Sequence, residues 1–591
     1  MERGRMIRAA VLSFAGVCAL PYAIKMGGQP LAFTNSVGSV FWFLGFSLCL
    51  YKALGASFSG TWKKWAWPGI LGLGFSFCMV IGKNLDEKES VPFDDPGMWA
   101  AILVLAVLTG ILVRYVWDSF ACSRKNRKNP EGLQIAKDEK RGAFYFAGMI
   151  FLLYIPVFLA VYPGFFVYDA QDELLQVMTR NFTTHHPLVH VLALGGMIQL
   201  VHKLTGSYNM GIACYTLFQM AVLAGIFGWC IGKLRSRGMK KGYCFLWAAY
   251  FGLCPVLVMF SLCSAKDGLF AGMLLAVTMF LSKLLREPEV FFSQRKNSVL
   301  LGSFALLMML LRHNGFYAFG AAALCLILAF RILVPLKKYW KRVLLFLAVI
   351  LAVYGGVHKG MILLFSADDS ENQEILTVPI SQLARVYQSK GEQDVEILYR
   401  YLPKEALSHY TPKVTDGVKI HFNNQAYAAD RGSFWRLWAK WGMENPFSYV
   451  NAWLMTSYGF WYPDTVIDVY RGNTVFTFTY EDSSYFGYEV EEPGTRESKF
   501  PWLSELYRKL SLEIFQQRIP VVSMLFSPGF LFWVWAFCLC FWCYQARPEK
   551  VLPYLPIVFC YLTVLLGPTY LVRYVVYLWA ALPALLAEFD N

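Results

Sequence analysis

The chain has 591 residues, 57% of them hydrophobic and 16% charged, against about 45–50% apolar and about 25% charged in an ordinary soluble domain. That excludes an ordinary soluble enzyme, and the 17% aromatic content (48 Phe, 33 Tyr, 19 Trp) is a load that lipid-facing helices and interfacial belts accommodate. The net charge of +14 is not a nucleic-acid signal: residues 366–522 hold 15 Lys/Arg against 21 Asp/Glu, which puts −6 there and +20 elsewhere, and basic excess in short loops between apolar runs is the positive-inside pattern.

A hydrocarbon core about 30 Å thick takes about 20 apolar residues per helix. Runs of that kind begin near Ile7, Thr34, Trp65 and Met98 and predict a four-helix membrane block over 1–117. The first run, behind Glu2, Arg3, Arg5 and Arg8, lacks an Ala-x-Ala-like cleavage site and reads as a retained span. Lys52, Lys63 and Lys64 follow the second run, whereas Asp86, Glu87, Glu89, Asp94 and Asp95 follow the third, so the basic connections are expected in the cytoplasm and the acidic one outside. A basic cytoplasmic linker, 118–142, separates this block from a transmembrane core over 143–365, with runs at 143–162, 208–232, 243–262, 267–286, 299–312, 315–335 and 343–364.

Within the first outer loop of that core, 163–207, the stretch Pro187–Leu204 is ambiguous. Counted as a span, it places Lys233, Arg235, Arg237, Lys240 and Lys241 outside, so charge bias predicts a helix lying on the outer surface. Residues 366–522 then form an extracytoplasmic mixed α/β domain, with helices over Pro379–Gln388 and Asp394–Tyr401 and an alternating strand over Thr474–Tyr480. Three runs, 523–545, 551–567 and 570–588, close the chain as a C-terminal three-helix block over 523–591. The expected fold is an all-α polytopic membrane protein of about 14 transmembrane helices, both termini cytoplasmic, with that mixed domain outside. All 14 cysteines lie outside 366–522, which excludes a disulfide framework there. Cys540-Phe-Trp-Cys543 matches C-x-x-C but has no strand–helix redox context.

With this topology the polar residues left at the outer membrane edge form one set. Tyr168-Asp169-Ala170-Gln171-Asp172-Glu173 follows the fifth span, and on a helix Asp169 shares a face with Asp172 and Glu173. A carboxylate at a wet, partly desolvated edge can take the proton from a hydroxyl as general base; a solvated acidic loop is the plain alternative. His185-His186-Pro187 opens the surface helix, and Asp172, Glu173 and His186 offer donors for a divalent cation, Mg or Mn, with an interfacial or hydrogen-bonding role as the other reading of the histidines. Ser264-Ala265-Lys266-Asp267 and Arg312-His313-Asn314-Gly315 stand at two outer junctions, and Arg573 stands about one turn inside the last apolar run. A charge at the bilayer centre costs at least ~2.5–3.5 kcal/mol, so these residues need partners. Lys266 with Asp267 as an interfacial pair and a snorkelling Arg573 are open alternatives; Arg312 has no acidic neighbour in sequence. The set predicts a cationic phosphate pocket beside the acidic motif, and a lipid-linked sugar phosphate supplies both an anion and a reason to sit in a membrane.

The ordered motifs Tyr168-Asp169 to Glu173, His186-Pro187, Ser264-x-Lys266-Asp267, Arg312-x-Asn314-Gly315, Thr377 to Arg385 and Arg573-Tyr574 resemble the GT-C superfamily of integral-membrane glycosyltransferases, and within or near it a group of bacterial multi-pass proteins. The resemblance covers about 143–591 and leaves the first four spans without a role. It implies a bacterial plasma-membrane enzyme in which the first outer loop and the outer domain enclose a cleft. A polyprenyl-phosphate sugar is then the donor, an envelope hydroxyl the acceptor, and the transfer inverting. It further implies Asp169, or else Asp172, as base, with Lys266, Arg312, Arg573 and Arg385 on the donor phosphate. The Arg-Asp-Glu of the lipid A and protein-mannosyl branches is missing from the first loop. Two readings without transfer chemistry stand beside this one: a lipid-linked-sugar flippase or transporter, and a noncatalytic envelope-assembly scaffold. Transporters place polar groups near the midplane in broken helices, whereas here they gather at the outer boundary.

Overall fold

The computed structural model describes residues 2–25, 37–55, 63–126, 139–167, 169–391, 395–469 and 492–590. Eleven helices among them are long and apolar enough to cross a membrane: Glu2–Ala23, Val37–Gly55, Lys64–Lys88, Pro96–Cys122, Arg141–Ala160, Leu188–Thr205, Tyr208–Ser236, Lys266–Arg286, His313–Ile332, Lys337–Phe365 and Val572–Phe589. The chain is thus a multi-pass, all-α membrane protein.

The expectation of 14 spans is too high for identifiable reasons. The run at 243–262 breaks at Pro255, which cannot donate the helical hydrogen bond, into Lys241–Leu253 and Pro255–Leu262, bent by 56°. Counting that pair as one span gives 12. Arg295–Leu311 and Pro528–Tyr544 stop at 17 residues each, and Leu555–Val564 at 10. Conversely, Leu188–Thr205, expected on the outer surface, meets the length and apolarity of a span.

The mixed α/β domain is corrected as well. Among the described residues of 366–522 there is no strand, only an isolated bridge between Thr411 and Val414 and the end partners of two others, Asp368 and Glu497; the expected strand at Thr474–Tyr480 lies outside the described residues. The segment is built from helices, among them Thr377–Lys390, Arg431–Glu444 and Pro501–Leu512. The first matches the expected helix at Pro379–Gln388. The second expected helix shrinks to Glu396–Tyr399, and Asp394, its expected cap, lies outside the described residues.

The described residues form two compact units, each discontinuous in sequence. One comprises Met1–Gly132, Asn445–Thr465 and Ser527–Val551. In it the second helix of the pair Lys63–Lys88 and Pro96–Asn126 packs so closely that a Cβ at Gly72 would lie 2.6 Å from the Ala106 carbonyl, the small-residue contact typical of membrane helices. Arg114, fully buried there, stacks 4.1 Å over Trp65 and faces Asp118 at 3.7 Å. Helix Pro446–Trp461 joins this unit through Asn451, whose Oδ1 accepts from the Val91 amide at 2.9 Å, and Tyr458, whose hydroxyl donates to Asp86 at 2.9 Å.

The other unit comprises Leu133–Glu444, Val466–Phe526 and Leu552–Asn591. Its axis is the Lys266–Arg286 helix, 89% buried over its apolar window. Tyr208–Ser236, Arg295–Leu311 and Val576–Asp590 surround it.

Candidate functional site

Two extended segments prepare the site in the larger unit. Phe165 pairs with Cys263: the Phe165 amide donates to the Leu262 carbonyl at 3.1 Å, and the Ser264 amide to the Phe165 carbonyl at 2.9 Å. Gln219, fully buried, holds the second segment from behind, its Nε2 donating to the carbonyls of Phe260, Ser261 and Cys263 at 3.0, 3.3 and 2.6 Å. The helices starting at Asp169 and at Lys266 therefore begin side by side.

The Asp169–Thr179 helix is amphipathic, with Ala170, Glu173, Leu174 and Gln176 buried against Phe166, Leu194, Ile198, Ile212 and Tyr215. Asp169 and Asp172 sit in its first turn, where the helix dipole favours negative charge. Glu173 is fully buried and Asp169 is 15% exposed, so this is not a solvated acidic loop. Tyr168 lies outside the described residues.

Lys266 and Asp267, neighbours in sequence, do not pair with each other. The Lys266 ammonium donates to Asp169 Oδ2 at 3.0 Å, to Glu173 Oε1 at 3.4 Å and to His186 Nδ1 at 3.0 Å. His186 Nε2 is left to face Asp172 Oδ2 at 3.2 Å. Asp267, fully buried, accepts from Arg312 Nη1 at 2.5 Å and from Arg573 Nε at 2.9 Å. Arg573 also forks onto Asp169, Nη2 to Oδ2 at 2.5 Å and Nη1 to Oδ1 at 3.4 Å. So Arg573 is anchored on two carboxylates rather than snorkelling, and Arg312, without an acidic neighbour in sequence, finds one in space. Each of the three cations stands at a helix break: Lys266 opens a helix, Arg312 is the extended residue between two, and Arg573 lies in a 3-10 turn ahead of the last.

Three cations thus meet three carboxylates, Asp169, Glu173 and Asp267, and a small cleft walled by Val167, Phe260, Cys263 and Ala265 reaches Asp169, Asp267 and Arg573. Burial pushes Asp169 up, but the Lys266 ammonium and His186 outweigh it and hold the carboxyl below its ordinary value. Glu173 follows the same logic, burial being outweighed by His190 and Lys266. Asp172 is lowered chiefly by its hydrogen bond from His186.

Two members of this network escaped sequence reasoning. His190 Nδ1 meets Glu173 Oε2, and the Tyr215 hydroxyl meets His190 Nε2 at 2.8 Å, all fully buried. The spacing of His186 and His190, one helical turn, was the available signal for the first. His185 faces away, onto Glu371 Oε2 at 2.8 Å. His313 contacts the Thr184 carbonyl at 3.1 Å, and Asn314 Nδ2 donates to Thr563 at 3.1 Å. Arg385, half-buried on the Thr377–Lys390 helix, is reached by none of these hydrogen bonds.

For a metal, the group that comes together is Asp169, Glu173 and His186, their donor atoms within 4.8 Å of one another, rather than Asp172, Glu173 and His186. The same three residues accept the three protons of Lys266. An ammonium offers three donors, so the arrangement as it stands is matched to the lysine and not to a divalent cation.

The sequence model of one family, described as a family of unknown function (DUF6020), matches residues 174–589. No curated protein and no solved structure matches the chain.

Proposed function

Since the chain belongs to DUF6020, a family of unknown function, the chemistry has to be read from the site, and we propose a GT-C-type membrane glycosyltransferase. It moves a sugar from a polyprenyl-phosphate carrier to an envelope acceptor hydroxyl at the extracytoplasmic face. The observation that carries this reading is the convergence of Lys266, Arg312 and Arg573, from three distant stretches of chain, on Asp169 and Asp267 beside one cleft.

In the resting chain Arg573 and Lys266 neutralise Asp169. The donor phosphate competes for both: a guanidinium grips phosphate as it grips carboxylate, through two parallel N–H donors. Once those cations turn to the phosphate, Asp169 loses the Lys266 ammonium, the foremost of the groups that hold its carboxyl down, and its basicity rises when the donor is in place. Asp169 then takes the acceptor hydroxyl proton, and the acceptor oxygen bonds to the anomeric carbon. The carbon–oxygen bond to phosphate breaks, and the electron pair leaves on the phosphate, where Arg573, Lys266 and Arg312 offset the charge. Inversion at the anomeric carbon follows from a single displacement. Glu173, held by His190, which Tyr215 braces in turn, keeps Lys266 aimed.

The test uses the purified full-length protein in liposomes with a polyprenyl-phosphate sugar. Wild type is expected to release the sugar from its carrier, and Arg573→Lys and Arg312→Lys to slow that release although each keeps the charge. If the wild type moves the intact carrier across the bilayer and never cleaves it, the flippase reading replaces this one.

A further inference from the structure

Arg573 is followed by Tyr574, and the two share the 3-10 turn Val572–Val575 that precedes the last helix. The Tyr574 ring stands close to both arginines of the site: its centroid is 5.2 Å from the guanidinium carbon of Arg312 and 5.7 Å from that of Arg573, distances at which an aromatic ring attracts a cation. Arg312 also lies 5.7 Å from the ring of Phe270. Both guanidiniums donate to Asp267 as well, so carboxylate and aromatic rings together fix where the two cations stand.

The ring is thus accounted for, and the hydroxyl is not. Tyr574 is half-buried, and its hydroxyl has no hydrogen-bond partner among the described residues, whereas the fully buried Tyr215 places its own on His190. The Thr415 amide donates to the Pro568 carbonyl at 3.0 Å, which brings the short helix Asp416–Lys419 up to this stretch of chain, the charges of both its end residues within electrostatic reach of the phenol. The lysine there is already matched: its ammonium lies 2.9 Å from Asp416 and 2.8 Å from Glu374. A glycosyl phosphate is an anion joined to a neutral polyol. Lys266, Arg312 and Arg573 answer the anion, and a phenol, which both donates and accepts, answers a sugar hydroxyl, which does the same.

We propose that Tyr574 reads the sugar of the donor: its ring braces Arg312 and Arg573 for the phosphate, and its hydroxyl hydrogen-bonds a hydroxyl of the neutral sugar that the phosphate carries. The sugar is bonded directly to the phosphate, so a group seated against both phosphate-binding arginines is placed to meet it. The assignment rests on the reading of this site as one for a polyprenyl-phosphate sugar. It makes Tyr574 a specificity-determining residue and gives it no proton to transfer.

Binding to the purified full-length protein without acceptor tests it, with polyprenyl-phosphate glucose, mannose and galactose each compared with bare polyprenyl phosphate. Wild type is expected to hold at least one of the three more tightly than the bare carrier by about three- to tenfold, the scale of one hydrogen bond between neutral groups. Tyr574→Phe keeps the ring and removes the hydroxyl, so it is expected to melt with wild type and to bind that sugar carrier and the bare carrier alike. Tyr574→Leu removes the ring too and is expected to weaken the bare carrier as well. A sugar preference unchanged in Tyr574→Phe, a loss in that variant as large for the bare carrier as for the sugar carrier, bare-carrier binding untouched in Tyr574→Leu, or a wild type that prefers none of the three would each overturn the assignment. Cleavage plays no part in the measurement. A wild type that shows the preference, loses it in Tyr574→Phe and yet never releases the sugar keeps Tyr574 as the reader and removes the transferase.

Discussion

Asp169 is the residue on which the proposed chemistry turns, because it accepts from Lys266 and Arg573 at once. Asp169→Asn removes the base and leaves two buried cations short of a counter-charge. We expect transfer to fall by ~10²–10⁴-fold and the unfolding midpoint to drop with it. Asp172→Asn, at a carboxylate 54% exposed, is expected to leave stability nearly unchanged; turnover near normal in Asp169→Asn would remove Asp169 from the mechanism. The acidic limb of stability follows from the lowered buried carboxyls: Asp169 and Glu173 contribute fully above their ordinary values of 3.8 and 4.5 and lose that contribution as pH falls through the lower folded values. His185 runs the other way. Its hydrogen bond to Glu371 raises it above 6.5, so its contribution is complete below that value and fades as pH rises through the folded midpoint. Between about pH 6 and about pH 8 the wild-type melting temperature is expected to fall slightly relative to His185→Gln, and parallel curves would refute the pairing. The participants were legible in the sequence because charges at helix ends in an apolar chain stand out. Their pairings were not: adjacent residues on a helix point about 100° apart, which sends Lys266 and Asp267 to different partners, and Arg573 meets Asp169 across 404 positions.

Helix by helix, the Tyr208–Ser236 helix gives a prediction that needs no assay of function: a Cβ at Gly225 would meet nothing within 4 Å, whereas one at Gly228 would meet the Ala147 amide nitrogen at 2.4 Å. At Gly228 any side chain meets Ala147 backbone, which cannot step aside, and overpacking of this kind typically costs about 1–3 kcal/mol. Gly228→Val is expected to lower the melting temperature of the purified protein, and Gly225→Val to leave it unchanged or raise it by improving helix propensity. If the two variants melt alike, the close approach of the helices Glu139–Ala160 and Tyr208–Ser236 is wrong. The apolar runs in the sequence located most helices well, since length and apolarity are local properties. They failed where proline acts: Pro255 turns one expected span into a bent pair, and Pro528 starts a helix of 17 residues where 523–545 promised more. The helices of 366–522 were half legible, because short segments pack on neighbours that periodicity does not reveal.

For the molecule as a whole, sidedness turns on Leu188–Thr205, apolar enough to span yet carrying His190 of the charge network in its first turn. In a cysteine-free background, probes at Asn181 and Asp430 are expected to label from outside the cell and one at Ser236 to stay protected. External labelling at Ser236 would mean that Leu188–Thr205 crosses the membrane. The two units also interleave: the chain leaves the first, returns to it at Asn445–Thr465 and Ser527–Val551, and ends in the second. This sets an order on biosynthesis. The four leading helices enter the membrane long before Pro446–Trp461 and Pro528–Tyr544 exist, a wait of tens of seconds at about 5–20 residues per second. Asp169 and Asp267 wait across 404 and 306 residues of chain for the guanidinium of Arg573. Until then Asp169 has Lys266 and Asp267 has Arg312 but neither has its second cation, and the segment that carries Arg573 is the one that closes the circuit.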